Sequence, residues 1–145
     1  MKLLISIVAS MWFPFIFSPV VNGQAVPSAV KKEVISLLKK HDALCENENA
    51  TISVESVRVG PRRYGYIGSC KYGGGPSVLF EKTANGLRKL LAVDTGMNGY
   101  FYSGKGVSKG YYDMSHSERS GEEVYVTTYR WNGGTYVAQK EKRVR

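Results

Sequence analysis

Asp113, His116, Ser117 and Ser120 fall within eight residues and supply the side-chain types of an acid, a base and a nucleophile. A triad is defined by geometry, so this spacing alone points only weakly to hydrolysis. The plainer expectation is that Asp113 caps a turn and His116 is solvated. Glu118, Glu122 and Glu123 could pair as the two carboxylates of a glycoside hydrolase, but all three are expected to flank one exposed turn. Two cysteines, Cys45 and Cys70, and two histidines are a poor basis for a zinc site. These residues lead to no expected catalytic residue, metal or cofactor.

Binding chemistry is better represented. Seven tyrosines between Tyr64 and Tyr112 interleave with Arg62, Arg63, Lys71, Lys105 and Lys109. Aromatic faces can stack sugars or bases while cations hold phosphates. The competing reading is that alternate tyrosines face a core and the cations solvate the other side. Arg62, Arg63, Tyr72, Tyr102, Lys105 and Tyr125 are the binding candidates. The Gly73-Gly74-Gly75 run is followed by a strand pattern, Ser77-Val78-Leu79-Phe80-Glu81, rather than by the helix that a phosphate loop needs.

Charge and cysteine usage bound the setting. The chain has 145 residues, enough for one domain. Met1-Lys2 is a basic start, two apolar runs follow, and Gly23-Gln24-Ala25 sets small residues where a signal peptidase reads. Residues 1–25 are therefore expected to be a secretory signal peptide. Pro14 and Pro19 interrupt the apolar part, which is shorter than the roughly 20 residues of a membrane span. Loss of the leader removes Lys2 and no acid, so the net charge falls from +8 to +7. That charge favours anionic partners, from an envelope component to an acidic protein, or simply keeps the domain soluble. An exported domain is a poor fit to nucleic acid. Cys45 and Cys70 are expected to form one disulfide in a periplasmic or secreted product.

The elements that would position these residues read mainly as strands. Ser28 is a plausible cap for a helix whose apolar stripe is Val30, Val34, Leu37 and Leu38. Strand patterns follow from Thr51, from Tyr64 and from Ser77, and an Asn85-Gly86 turn sends the chain back through Leu87. The shift of apolar phase from Ile52 and Val54 to Val57 and Val59 suggests a bulge. Tyr100-Phe101-Tyr102 reads as a short strand, 103–106 as a loop, 107–114 as a strand and 115–121 as a polar loop. The long strand 122–131 carries Tyr125, Thr127, Tyr129 and Trp131 on one face, and Asn132-Gly133 turns it into a last strand. The expected fold is α+β and mainly β. One N-terminal helix packs on an antiparallel meander of about seven short strands, curled or folded as a sandwich. The domain would span 26–140, with 141–145 as a frayed basic tail. Asn49-Ala50-Thr51 matches an N-glycosylation acceptor.

Gly110-Tyr111-Tyr112-Asp113-Met114, then Tyr129-Arg130-Trp131-Asn132-Gly133 and Tyr136, resemble a loose set of small exported bacterial proteins of periplasmic type. These have a signal peptide, a short helix, a cysteine pair and a C-terminal Gly-Tyr-x-Asp-Leu … Tyr-x-Trp-Asn-Gly-x-x-Tyr hairpin. The resemblance implies a fold and a compartment and brings no established activity. Many of those proteins carry an acidic Asp-Asn-Gly-rich loop between early strands. Here Val59-Gly60-Pro61-Arg62-Arg63-Tyr64 stands in that place, with arginines instead of acids, so a calcium-type loop is not expected. Ser120-Gly121-Glu122-Glu123-Val124-Tyr125 is also faintly similar to the inhibitory Ser-Gly-x-x-Tyr loop of small periplasmic lysozyme inhibitors, one residue too long. The functional expectation is a non-catalytic exported binding module of the cell envelope. The alternative is a small inhibitor or immunity protein acting on a secreted, acidic enzyme.

Overall fold

The computed structural model describes residues 25–40, 45, 51–71, 75–94 and 100–144. Residues 1–24 of the expected leader, Asn49 and Tyr72 lie outside them. The described chain holds helix α1 (Ser28–Lys40) and strands β1 (Thr51–Gly60), β2 (Arg63–Lys71), β3 (Pro76–Thr83) and β4 (Gly86–Asp94). Strands β5 (Tyr100–Ser108), β6 (Tyr111–Ser120), β7 (Glu123–Trp131) and β8 (Tyr136–Val144) follow. Each set of four strands is an antiparallel meander, β1-β2-β3-β4 and β5-β6-β7-β8. The fold is mainly β, as expected; among the described residues it has one helix and eight strands, against the expected seven or so.

The expected 107–114 strand is divided by a turn: Val107 and Ser108 end β5, and Tyr111 to Met114 open β6. Lys109 and Gly110 both have positive φ, 50° and 82°. That is the geometry of a primed hairpin turn, and Lys109 is a residue that seldom advertises one. The expected loop at 103–106 is an irregular stretch of β5, where pairing to β6 skips from Ser103 to Val107. The expected loop at 115–121 is also strand as far as Ser120. The tail expected to fray pairs with β7 as far as Val144↔Val124.

Two cores result. The larger lies between the sheets and contains Val59, Ile67, Leu79, Leu90, Phe101 and Met114, closed at one end by Tyr111, Trp131 and Tyr136. The smaller lies between α1 and the first sheet, where Val34 and Leu38 meet Val78 and Phe80. The layers are therefore helix, sheet, sheet. Ser103 Oγ donates to the Arg58 carbonyl (2.6 Å) and ties β5 to β1. Gly68 allows α1 to sit close: a Cβ there would fall 2.8 Å from Val34 Cγ1 and 3.0 Å from Leu38 Cδ1.

This double burial corrects one reading of β1. Ile52 and Val54 pack under the helix, whereas Val57 and Val59 belong to the core between the sheets. The phase changes because a different face becomes covered, and pairing stays regular from Thr51 to Arg58. The irregularity comes afterwards, between Arg58 and Gly60. The helix start also shifts slightly. Lys31 N–H donates to the Pro27 carbonyl (3.1 Å), so Pro27 occupies the cap position expected for Ser28.

Cys45 and Cys70 form the expected disulfide, with Cα atoms 5.5 Å apart. Among the described residues no helix is long and apolar enough to cross a membrane.

Candidate functional site

Strand alternation builds the site. On β3, Val78 and Phe80 point to the helix, so Leu79 and Glu81 point toward the second sheet. Glu81 is 3% exposed, a carboxylate at the end of an apolar run. Its cross-strand partners are Arg88 on β4 and Gly65 on β2. Arg63 is the next residue on β2 that shares a face with Gly65. Tyr111, at the start of β6, comes in from the second sheet.

Three side chains, those of Arg63, Arg88 and Tyr111, converge on the Glu81 carboxylate. Arg63 Nη1 donates to Glu81 Oε1 (2.7 Å), and Arg88 Nη2 donates to Glu81 Oε2 (2.6 Å). The Tyr111 hydroxyl donates to Glu81 Oε2 (3.0 Å) and accepts from Arg88 Nη2 (2.6 Å). The Arg63 guanidinium lies over the Tyr111 ring, 4.5 Å from its centre, and Arg88 lies 5.9 Å from that of Trp131. Tyr111 and Trp131 stack at 4.3 Å, and Tyr136 meets Trp131 edge-on at 5.2 Å. A guanidinium on an aromatic face gains roughly 0.5–2 kcal/mol.

The electrostatics follow from this packing. Burial opposes ionisation of Glu81, but the bonds from Arg63, Arg88 and Tyr111 outweigh it and hold the carboxyl below its usual range. The same bonds to Glu81 push both arginines further up. Burial first, and then the bond to Glu81, pushes the Tyr111 hydroxyl up. Glu81 is thus fully engaged as an acceptor. Its arginines are not: their side chains remain 45% and 52% exposed, with donors left over. A cavity of about 400 Å³ opens beside them, lined by Arg62, Arg63, Tyr64, Lys82, Thr83 and Arg88 around Glu81. Four cations surround one neutralised carboxylate, which suits a small anion.

Of the sequence candidates, Arg62 and Arg63 line this cavity. Tyr102 lies on β5, beside Tyr100 and 39% exposed. Lys105 is exposed on the irregular part of β5. Tyr125 lies on β7 and donates its hydroxyl to the Glu123 carboxylate. Tyr72 is outside the described residues. The fold therefore does not gather the five described candidates at one place. Glu81, Arg88 and Lys82 were missed; the one signal for them was an acid closing the run Val78-Leu79-Phe80-Glu81.

The trio of hydrolytic residue types is also separated. Asp113 accepts from Arg130 (3.3 Å), on the same face of the second sheet as Ser115 and Ser117. His116 points the other way, against Phe101, with ring centres 5.4 Å apart. The expected solvated histidine is instead 3% exposed, and burial pushes its pKa down. Asp113 is buried beneath the glycines of β5 rather than capping a turn: a Cβ on Gly106 would fall 2.3 Å from its Oδ2. The Ser120–Tyr125 segment that resembles an inhibitory loop spans the end of β6, the turn at Gly121 and Glu122, and the start of β7.

Among the described residues no group of three His, Cys, Asp or Glu could hold a metal ion. No known family, curated protein or solved structure matches this chain.

Proposed function

We propose that this protein is a non-catalytic exported binding module of the cell envelope that holds an anionic group in the arginine cavity. One observation carries the reading: Arg63 and Arg88 are fixed by a buried carboxylate yet keep about half of their surface open. Their geometry is set before any ligand arrives, which lowers the ordering cost of binding. Arg62 and Lys82 add charge at the rim. The leader-like start, the Cys45–Cys70 disulfide and the resemblance to small periplasmic proteins support export.

The test uses residues 26–145, titrated with inorganic phosphate, sulfate and citrate at two salt concentrations. Trp131 is the readout, because Arg88 lies over its ring. The comparison variant is Arg62→Ala with Lys82→Ala, two exposed residues outside the bonds to Glu81. Saturable binding that weakens at least tenfold in the variant supports the proposal. Unsaturable responses, or equal affinity in both proteins, overturn it.

A further inference from the structure

The outer face of the second sheet carries a separate feature. Directly opposed residues of antiparallel strands share a face. One cross-strand row is Tyr102, Ser115, Thr128 and Lys140; the next along is Tyr100, Ser117, Val126 and Lys142. The Ser115 and Thr128 hydroxyls lie 3.5 Å apart, as residues sharing a face must. The row between these two, with Phe101 and His116, points into the sandwich.

Small side chains thus fill the middle of this face and large ones stand at its edges. Ser115 and Ser117 are 8% and 3% exposed, whereas Tyr100 and Tyr102 are 60% and 39% exposed. The tyrosine rings form one wall, with centres 5.8 Å apart and planes tilted by 37°. The lysines form the other, about 14 Å away across three strand spacings. Ser115 and Ser117 are buried beneath the trough, and the half-buried Thr128 brings a hydroxyl to its floor. A cavity of about 380 Å³ opens at one end, lined by Tyr100, Ser117, Arg119 and Val124.

The sign of the charge follows from alternation in β8. In Lys140-Glu141-Lys142-Arg143 the two lysines come to this face, and Glu141 goes to the other, opposite Thr127. Asp113 is the acid of this face on β6, and Arg130 already holds it. Among the described residues Arg119, Lys140 and Lys142 make no ion pair. The trough is therefore aromatic, hydroxylic and cationic.

We propose that this face binds an anionic polysaccharide. Sugar rings lie against Tyr100 and Tyr102, sugar hydroxyls exchange hydrogen bonds with Thr128, and acidic groups reach Lys140 and Lys142. A threonine hydroxyl both donates and accepts, which matches sugar hydroxyls. Two rings tilted against each other do not make the parallel platforms on which successive bases stack, so the geometry favours a glycan over a nucleic acid. The site is independent of the arginine cavity and stands on a different sheet.

The test measures binding of residues 26–145 to polygalacturonate, to the neutral glycan amylose and to single-stranded DNA. Three variants are compared: Tyr100→Ala with Tyr102→Ala, Lys140→Ser with Lys142→Ser, and the cavity variant Arg62→Ala with Lys82→Ala. The proposal expects polygalacturonate to be preferred, each trough variant to lose at least tenfold in affinity, and the cavity variant to stay within twofold. Hydroxyl-radical footprinting of the unmodified domain should show Tyr100 and Tyr102 protected by the glycan and Tyr64 unprotected, so the test does not depend on a variant's folding. Several results would overturn the proposal: no binding of the acidic glycan, DNA bound as tightly, or loss only in the lysine variant without tyrosine protection. Loss confined to the cavity variant would move binding to the arginine site.

Discussion

Replacing Glu81 by Gln should expose what the arginine clamp contributes. The substitution keeps side-chain size and one acceptor oxygen but removes the charge shared by Arg63 and Arg88. Breaking a buried ion pair from one side costs roughly 3–5 kcal/mol. Here the arginine side chains are 45% and 52% exposed, so water recovers part of their solvation, and the amide oxygen keeps one bond. About 2 kcal/mol is expected, or roughly 8 °C in Tm for a domain of this size. The pH dependence gives a second handle. The Glu81 carboxyl is held below its unfolded value of about 4.3. Its contribution is therefore complete above that value and is lost as pH falls through the lower folded value. Urea unfolding of residues 26–145, followed by Trp131 emission at pH 7 and at steps down to about pH 3, should show a gap between the two proteins that closes on acidification. Equal midpoints at pH 7, or a gap that stays constant down to pH 3, would refute this account of the clamp.

Reducing Cys45–Cys70, which are separated by 25 residues, should lower stability by about 3 kcal/mol, read as a fall in Tm with and without reductant. Gly68→Val should cost about 1–3 kcal/mol in urea unfolding, because its side chain meets Val34 and Leu38 and lifts the helix from the first sheet. His116 is buried in its neutral form with its pKa pushed down, so its contribution is present above about pH 6.5 and is lost as pH falls through the folded value. His116→Phe should flatten the stability profile in that window, measured by thermal unfolding against pH.

Local chemistry made much of this protein legible before folding was considered. The helix stripe Val30, Val34, Leu37 and Leu38, the disulfide and the turn at Asn132 follow from periodicity, cysteine count and side-chain capping, all of which act over a few residues. The Asn132 Oδ1 accepts from both Gly134 and Thr135 N–H (2.9 Å each), a bond pattern written in the residue type itself. Strand alternation likewise put Tyr129 and Trp131 on one face of β7, the face that meets the core between the sheets. What only tertiary structure decided is which face of each strand is covered, and by what. The first sheet is buried on both sides, so the switch in β1 from Ile52 and Val54 to Val57 and Val59 looked like a bulge when each strand was read alone. Glu81, Arg88 and Tyr111 are joined by pairing across β3 and β4 and by contact between sheets, over separations of 7 to 30 residues. No local pattern encodes such a meeting, because the carboxylate is stable in the interior only after its partners arrive from other strands. The same holds for Tyr100 and Lys142: their opposite walls exist only because four strands lie side by side.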